Sequence, residues 1–412
     1  MEHVDLNLSR RIQAAGGRPF IVGGYVRDIL MGKIPKDVDL CVVGMTMESL
    51  LATFPEGEAV GKNFPVVIVN GCEIALARKE KQVGEGHTGF ECQTVGVTLE
   101  EDLRRRDLTI NAMAIDPFTI EIIDPFGGKL DIEKRLLRPV SDHFVEDPLR
   151  VLRAARFASQ FGFEPTSELI SMCQFLSGSL ETLPSERVFT ELQKALRTDV
   201  PSKFFMTLAR FGCLDILFPE ITALQGRIQP EKHHPEGDAF VHVMLVIDRA
   251  RELGANDATM FAALVHDLGK AVTDDDNLPH HYNHEAMGVP LVEAMGERLR
   301  VPNDLVAAGV ATSREHLNIH RFMDLRTVTK VRLLERLGAA HGNGMIETVT
   351  LAAQADAQGR GPLFHSKPYP QRQAVLDAAE KFRSVRGDKF VHLGDGNKIR
   401  AKLEQERVKI LS

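Results

Sequence analysis

Near Glu146 the chain changes character, and that change limits the folds open to it. Before it come short β-type runs punctuated by turns. After it, apolar residues recur three and four apart. Phe20-Ile21-Val22 runs into Gly23-Gly24, and Val38 to Val43 is an apolar run among aspartates. Pro65 to Val69, Glu73 to Ala77 and Glu121 to Ile123 read as further strands bounded by Gly, Asn and Pro. The segments VLRAARFASQFGF, ERVFTELQKALR and SKFFMTLARFG read as amphipathic helices. A length of 412 residues exceeds one ordinary core. The expected fold class is therefore α+β. An α/β head over 1–140 precedes a helical neck over 141–225, a histidine-rich helical domain over 226–360 and a helical tail over 361–412. The Pro/Gly/His-rich stretch from Gln229 to Asp238 reads as a linker or exposed loop.

Charge and cysteine usage exclude some functions. A net charge of −7 argues against a uniformly basic nucleic-acid coat, but local patches set the electrostatic footprint. Residues 381–412 hold nine Lys/Arg against four Asp/Glu, which fits a solvated helix or an RNA contact. The cysteines Cys41, Cys72, Cys92, Cys173 and Cys213 form no C-x-x-C pair, as expected of reduced thiols. The N-terminal stretch has no apolar h-region, and no apolar run approaches the ~20 residues of a membrane span. These features predict a soluble, cytoplasmic protein.

The chemistry-bearing residues of the head begin at Gly23-Gly24-Tyr25-Val26-Arg27-Asp28 and continue at Asp37-Val38-Asp39. Glycines between a strand and a helix let backbone N–H groups approach a phosphate, although such a pair is also an ordinary turn. Residues two apart on a strand share a face, so Asp37 and Asp39 are expected to project together. Two adjacent carboxylates repel, and a hard divalent cation such as Mg²⁺ resolves the conflict. Two-metal phosphoryl transfer uses that arrangement.

These motifs resemble the signature of the nucleotidyltransferase superfamily, in the branch of bacterial-type CCA-adding enzymes and poly(A) polymerases, with a polymerase-beta-like head. The resemblance implies that Gly24 and Arg27 contact the incoming triphosphate, that Asp37 and Asp39 hold Mg²⁺ and carry catalysis, and that Glu73 is a candidate third carboxylate. Leu103 to Ala112 is similar to the family's R-R-D-x-T-I-N-A motif, placing Arg106 and Asp107 on the nucleotide. Arg78 to Phe90 resembles the mobile loop over the active site.

Glu146-Asp147-Pro148-Leu149-Arg150 matches the family's E-D-x-x-R motif, although Asp before Pro is also an ordinary N-cap followed by an N1 proline. Cytosine and adenine each present an exocyclic amine beside a ring-nitrogen acceptor. Asp147 can accept from the amine while Arg150 donates to the ring nitrogen. Uracil and guanine put a carbonyl where the amine stands, at a cost of about 1–3 kcal/mol per unsatisfied group. Arg153 and Arg156 follow at helical spacing, and the resemblance adds them to the nucleotide contacts for ATP and CTP.

Further on, His266-Asp267 lies in FAALVHDLGK, read as a helix, with His242 upstream. Seven histidines fall within residues 230–285. The pattern resembles the HD phosphohydrolase superfamily, which implies a metal site of His242, His266, Asp267 and a distant Asp, for which Asp356 is the candidate. Imidazole–carboxylate ligation suits Ni²⁺, Mn²⁺ or Co²⁺ better than Mg²⁺. The order of motifs implies addition of CCA to the tRNA 3′ end together with 2′,3′-cyclic phosphodiesterase, 2′-nucleotidase and phosphatase activities. A poly(A) polymerase, an enzyme adding only CC or only A, and a non-catalytic RNA-binding protein are the alternatives. A homodimer is left open.

Overall fold

The computed structural model describes residues 6–61, 65–82, 90–342 and 344–412. Contacts divide the chain into two units, Met1–Leu183 with Arg210–Cys213, and Pro184–Ala209 with Leu214–Ser412.

The first unit is built on a mixed sheet. Its strands are β1 (Arg18–Val22), β2 (Asp39–Val43), β3 (Glu58–Val60), β4 (Val66–Val69) and β5 (Cys72–Leu76), followed by a separate hairpin, β6 (Lys79–Gln82) and β7 (Phe90–Gln93), and by β8 (Ala114–Ile115) and β9 (Ile122–Ile123). The sheet order is β3-β4-β5-β2-β1-β8-β9. Within this sheet β2 and β5 pair in parallel and the other neighbours are antiparallel. Alternation along the strands builds a core on each face. Ile21, Leu40, Val42, Ile74 and Leu76 pack on one side with Ile12 and Leu50 from flanking helices. Phe20, Val22 and Cys41 pack on the other with Leu103 and Ala112. The expected mobile loop is in part the β6–β7 hairpin, and its residues 83–89 lie outside the described residues.

The helix Leu149–Phe161 follows in the same unit and stops at Gly162, whose φ of 67° provides a left-handed C-terminus. Phe157 and Phe161, one turn apart, stack with centroids 5.7 Å apart.

The second unit is helical. Ala239–Glu252, Asp257–Val265, His284–Leu299, Asn303–His320 and Met345–Gln358 surround a core that includes Val243, Ile247, Phe261, Leu264 and Val292. A second cluster joins Phe322, Leu333, Val349 and Phe382 to Val408 and Leu411 of the last helix, Gly396–Leu411. In that basic tail Arg407 points inward, 3.8 Å from the Phe382 ring centroid and 3.2 Å from Glu335 Oε1. Among the described residues, no helix is long and apolar enough to cross a membrane. The observed α+β architecture matches the expected class.

Two candidate metal centres

β1 and β2 are antiparallel with Val22 opposite Asp39, and β2 and β5 are parallel with Glu73 opposite Asp39. The Gly23-Gly24 turn therefore leaves β1 beside the first residue of β2. Residues paired on neighbouring strands project to one face from backbones ~4.8 Å apart, so Asp39 and Glu73 share that edge of the sheet. Asp37 lies before β2 and is exposed, not on the strand as the sequence suggested. The reason is that β1 ends at Val22, opposite Asp39, so residues before Asp39 have no antiparallel partner to extend the ladder. Burial pushes the Asp39 carboxyl up, and the charges of Glu73 and Asp37 push it the same way while Arg106 opposes them.

Gly23 holds φ at +73°, and a Cβ there would stand 3.2 Å from Arg106 Nη1 and 3.9 Å from Asp39 Oδ2. A side chain would thus displace the guanidinium from the carboxylate edge. Arg106 Nη2 donates to Asp102 Oδ2 at 3.1 Å, and its buried Nε has no partner among the described residues. Burial raises the Asp102 carboxyl, but Arg106 and Arg105 more than reverse this and hold it below its usual range.

The other nucleotide-site candidates form a continuous polar chain. Arg27 is buried, donates through Nη1 to Asn111 Oδ1 at 2.7 Å and through Nε to Asp28 Oδ1 at 2.9 Å, and lies over the Phe161 ring at 4.7 Å. Asn111 Nδ2 donates to Asp107 Oδ1 at 3.1 Å, and Arg153 Nε donates to Asp107 Oδ2 at 2.8 Å. Burial opposes ionisation of Asp107, yet Arg153, Asn111 and Arg150 hold it well below the usual carboxylate range. Asp147 Oδ1 accepts the Leu149 N–H at 3.0 Å, so it does cap the helix. Arg150 donates to the carbonyls of His143 and, at 2.7 Å, of Arg105, and Arg156 donates to Gln160 Oε1 at 2.9 Å. Gly24 adjoins Arg27: a Cβ on it would lie 3.3 Å from Nη2.

In the second unit the four expected ligands come together. His242 Nε2 lies 3.2 Å from Asp356 Oδ1 and 3.5 Å from Asp267 Oδ2, and His266 Nε2 lies 3.2 Å from Asp267 Oδ2. His242, His266 and Asp356 are grouped closely enough to share one ion. All four residues are buried. His266 Nδ1 lies 2.8 Å from the Ala263 carbonyl, which can only accept, so Nδ1 carries a proton and Nε2 is turned to the carboxylates. His242 Nδ1 lies 2.7 Å from Glu236 Oε1, and its Nε2 faces the two carboxylates. Both Nε2 atoms and Asp267 Oδ1 are without a hydrogen-bond partner among the described residues. Buried atoms in that condition fit a metal ion. Burial pushes the His266 imidazole down, but Asp267 and Asp356 reverse it and hold it above its ordinary value, so the site favours a positive charge at Nε2.

Two expectations change here. The helix bearing the HD pair ends at Val265, with His266 as its cap and Asp267 at the head of a 3₁₀ turn, Leu268–Val272. Gly269 accounts for the tight turn: a Cβ on it would lie 1.9 Å from the His284 carbonyl oxygen. The stretch from Gln229 to Asp238 is not simply an exposed loop. The Glu236 side chain is 3% exposed, and its Oε1 lies 2.9 Å from His234 Nδ1, with which it is hydrogen-bonded, and 2.7 Å from His242 Nδ1. Sequence reasoning missed Glu236, and a lone acid in a Pro/Gly-rich stretch gave no periodic signal. It also left His284 and His316 unassigned; they group with Asp267. A cavity of about 810 Å³ opens over these residues, with Lys270, His320, Arg360 and Tyr369 also in its wall.

Comparison with known proteins follows this division. Residues 19–138 match the Poly A polymerase head domain, residues 162–225 a probable RNA and SrmB-binding site of polymerase A, and residues 239–357 the HD domain. A multifunctional CCA protein of Nitrosococcus oceani is 42% identical over 399 residues, spanning 95% of this chain and 97% of that protein. Another from Vibrio vulnificus is 42% identical, spanning 94% and 97%. Among solved structures, the Bacillus stearothermophilus CCA-adding enzyme in complex with CTP aligns with a TM-score of 0.68 at 22% identity, over 98% of this chain and 91% of that one. A CCA-adding enzyme with ATP aligns at 0.65 and 20% identity, over 100% and 91%. At that identity the structural likeness speaks to the fold.

Proposed function

The chain belongs to the multifunctional CCA protein family, and from that premise we propose that it adds C, C and A to the 3′ end of tRNA from CTP and ATP, and hydrolyses phosphoesters at a separate HD centre. The observation that carries the first activity is the register setting Asp39 beside Glu73 under the Gly23 turn, with Arg106 alongside. Asp37 and Asp39 would hold Mg²⁺, whose chemistry is to lower the pKa of a hydroxyl and neutralise phosphate charge. Gly24 leaves room for the triphosphate, and the unpartnered Nε of Arg106 and the guanidinium of Arg27 would receive its oxygens. Asp107 fixes Arg153 for the same ligand. Asp147 and Arg150 would read the base edge. Arg150 would exchange a backbone carbonyl for the ring nitrogen, and Asp147 would use the carboxylate oxygen that does not cap Leu149.

At the HD centre His242, His266, Asp267 and Asp356 would hold a divalent ion. Their histidine content favours Ni²⁺ or Mn²⁺, and such an ion supplies an activated water. Glu236 places a carboxylate 2.7 Å from His242 Nδ1, and Lys270 and Arg360 line the cavity as cations for a phosphate. Each centre is assembled from residues of one chain, so neither requires a homodimer. Acting on tRNA, the protein would work in the cytoplasm. To test the reading, tRNA transcripts ending before the first C, the second C and the A are incubated with each labelled nucleotide and the ends sequenced. Ordered incorporation of C, C and A is expected. Incorporation of A alone onto every end would replace this reading with poly(A) synthesis.

A further inference from the structure

The nucleotide site of the first unit crowds like charges together. Arg27, Lys33, Arg153 and Arg156 converge on two phenyl rings, Phe157 and Phe161. Arg27 comes from the helix Gly24–Leu30 and Lys33 from the segment after it, while Arg153 and Arg156 belong to Leu149–Phe161. Arg27 and Arg156 are buried. Asp28 lies 2.7 Å from Arg27 Nη2, and Asp107 lies 2.7 Å from Arg153 Nη2. Those four bases and two acids together carry an excess of positive charge.

Helical spacing brings the rings among the cations. Arg153, Arg156, Phe157, Gln160 and Phe161 recur three and four apart and share one face. The two rings are nearly parallel, inclined by 8° with centroids 5.7 Å apart. Three guanidinium carbons stand around Phe157, with Arg156 at 4.2 Å, Arg153 at 5.5 Å and Arg27 at 5.6 Å from its centroid. Phe161 has Arg27 at 4.7 Å and Lys33 Nζ at 5.0 Å. Each distance falls inside the ~6 Å over which a ring face attracts a cation. Arg27 meets both rings, and so ties the two helices to one platform.

Rings and acids hold cations with different consequences for a polyanion. A carboxylate holds a guanidinium by neutralising it, and then repels an incoming phosphate. A ring face attracts through its quadrupole and carries no formal charge. The positive charge it gathers stays available to a phosphate. Phe157 and Phe161 are buried, and desolvation strengthens the attraction. Leucines at the same positions would also be apolar and would hold none of the cations.

We propose that the Phe157–Phe161 stack is the positioning platform of the nucleotide site. It gathers Arg27, Lys33, Arg153 and Arg156 into one cationic cluster for the triphosphate of CTP and ATP alike. The rings act through the cations, so Phe157 and Phe161 set nucleotide affinity rather than the chemical step. The inference rests on the head binding a nucleoside triphosphate.

The test weakens the ring face and keeps its shape. Full-length protein carrying mono-, di- or trifluorophenylalanine at position 161, and separately at position 157, is assayed for C and A addition to tRNA transcripts at varied CTP or ATP. Fluorine withdraws the negative face stepwise with little change in volume, so a ring that only fills space leaves KM unmoved. KM should rise along each series, reaching about 3- to 30-fold with three fluorines, equally for CTP and ATP, while kcat stays within about twofold. A flat series at either position overturns the paired platform. A rise confined to one nucleotide also overturns it, by setting the ring against a base instead of the phosphate-binding cations. A parent that incorporates neither C nor A overturns the nucleotide-addition reading itself.

Discussion

The two centres solve the same problem, concentrating negative charge for a cation, in opposite ways. In the head the acids are all oxygen donors: strand register sets Asp39 beside Glu73, and Asp37 lies exposed just before β2. In the HD unit the four candidate donors His242, His266, Asp267 and Asp356 are two imidazoles and two carboxylates, all buried, with His266 Nδ1 held at the Ala263 carbonyl. An open oxygen site suits an ion that keeps its waters and leaves with product. A closed imidazole site suits an ion that stays. The contrast fits the proposed function, with an exchangeable divalent ion at the head and a resident one at the HD centre.

The sharpest way to break that contrast is to remove each ligand set in turn. Asp37→Ala or Asp39→Ala should abolish C and A addition together, by more than ~10³-fold, while tRNA binding and hydrolysis persist. His266→Ala with Asp267→Ala should eliminate hydrolysis of 2′,3′-cyclic AMP and leave CCA addition within about a few-fold of wild type, since no ligand is shared. Paired incorporation and hydrolysis assays read both. Loss of addition in a well-folded HD double mutant would show that the centres are coupled.

Next in size is the polar chain behind the head site. Asp107→Asn sets the part-buried Arg153 against a neutral amide and should cost about 1–3 kcal/mol in a denaturant melt. Because the folded Asp107 pKa lies below its unfolded value, this contribution is full above the ordinary carboxylate range and is lost as pH falls through the lower folded value. A loss under ~1 kcal/mol would show that the chain of Arg27, Asn111, Asp107 and Arg153 is not structural.

A smaller change is expected at the base-reading pair. Asp147→Ala or Arg150→Ala should weaken discrimination against UTP and GTP by about 1–3 kcal/mol, roughly 5- to 150-fold. Asp147→Ala should also lose ~1 kcal/mol of stability, because Leu149 loses its cap. Unaltered selectivity beside that loss would leave Asp147 a cap only.

The smallest effect per step concerns pH. His266 is held above its ordinary pKa, so a proton must leave before an ion binds. Apparent Ni²⁺ or Mn²⁺ affinity at the HD centre should fall about tenfold for each pH unit below that raised value. Mg²⁺-supported addition should respond at lower pH, where carboxylates titrate. Coincident pH profiles for the two activities would erase the distinction between the centres.

What could be read along the chain was whatever depends on near neighbours. The Gly23-Gly24 turn, the R-R-D-x-T-I-N-A stretch, the period of the helix Leu149–Phe161 and the His266-Asp267 pair all lie within a few residues of their own context, where backbone geometry relates spacing to direction. The pairing of Asp39 with Glu73 was only suggested, because a parallel register is set by the strands between them. Glu236, His284 and His316 were not assigned at all. Their roles depend on where the segment before Ala239 folds back and on how closely two helices approach the turn at Gly269. That approach is decided by packing between residues 15 and 47 positions apart in sequence, where the carbonyl oxygen of His284 takes the space a Cβ would need. Periodicity carries no record of such contacts, since they are long-range outcomes of excluded volume and burial rather than of local backbone preference.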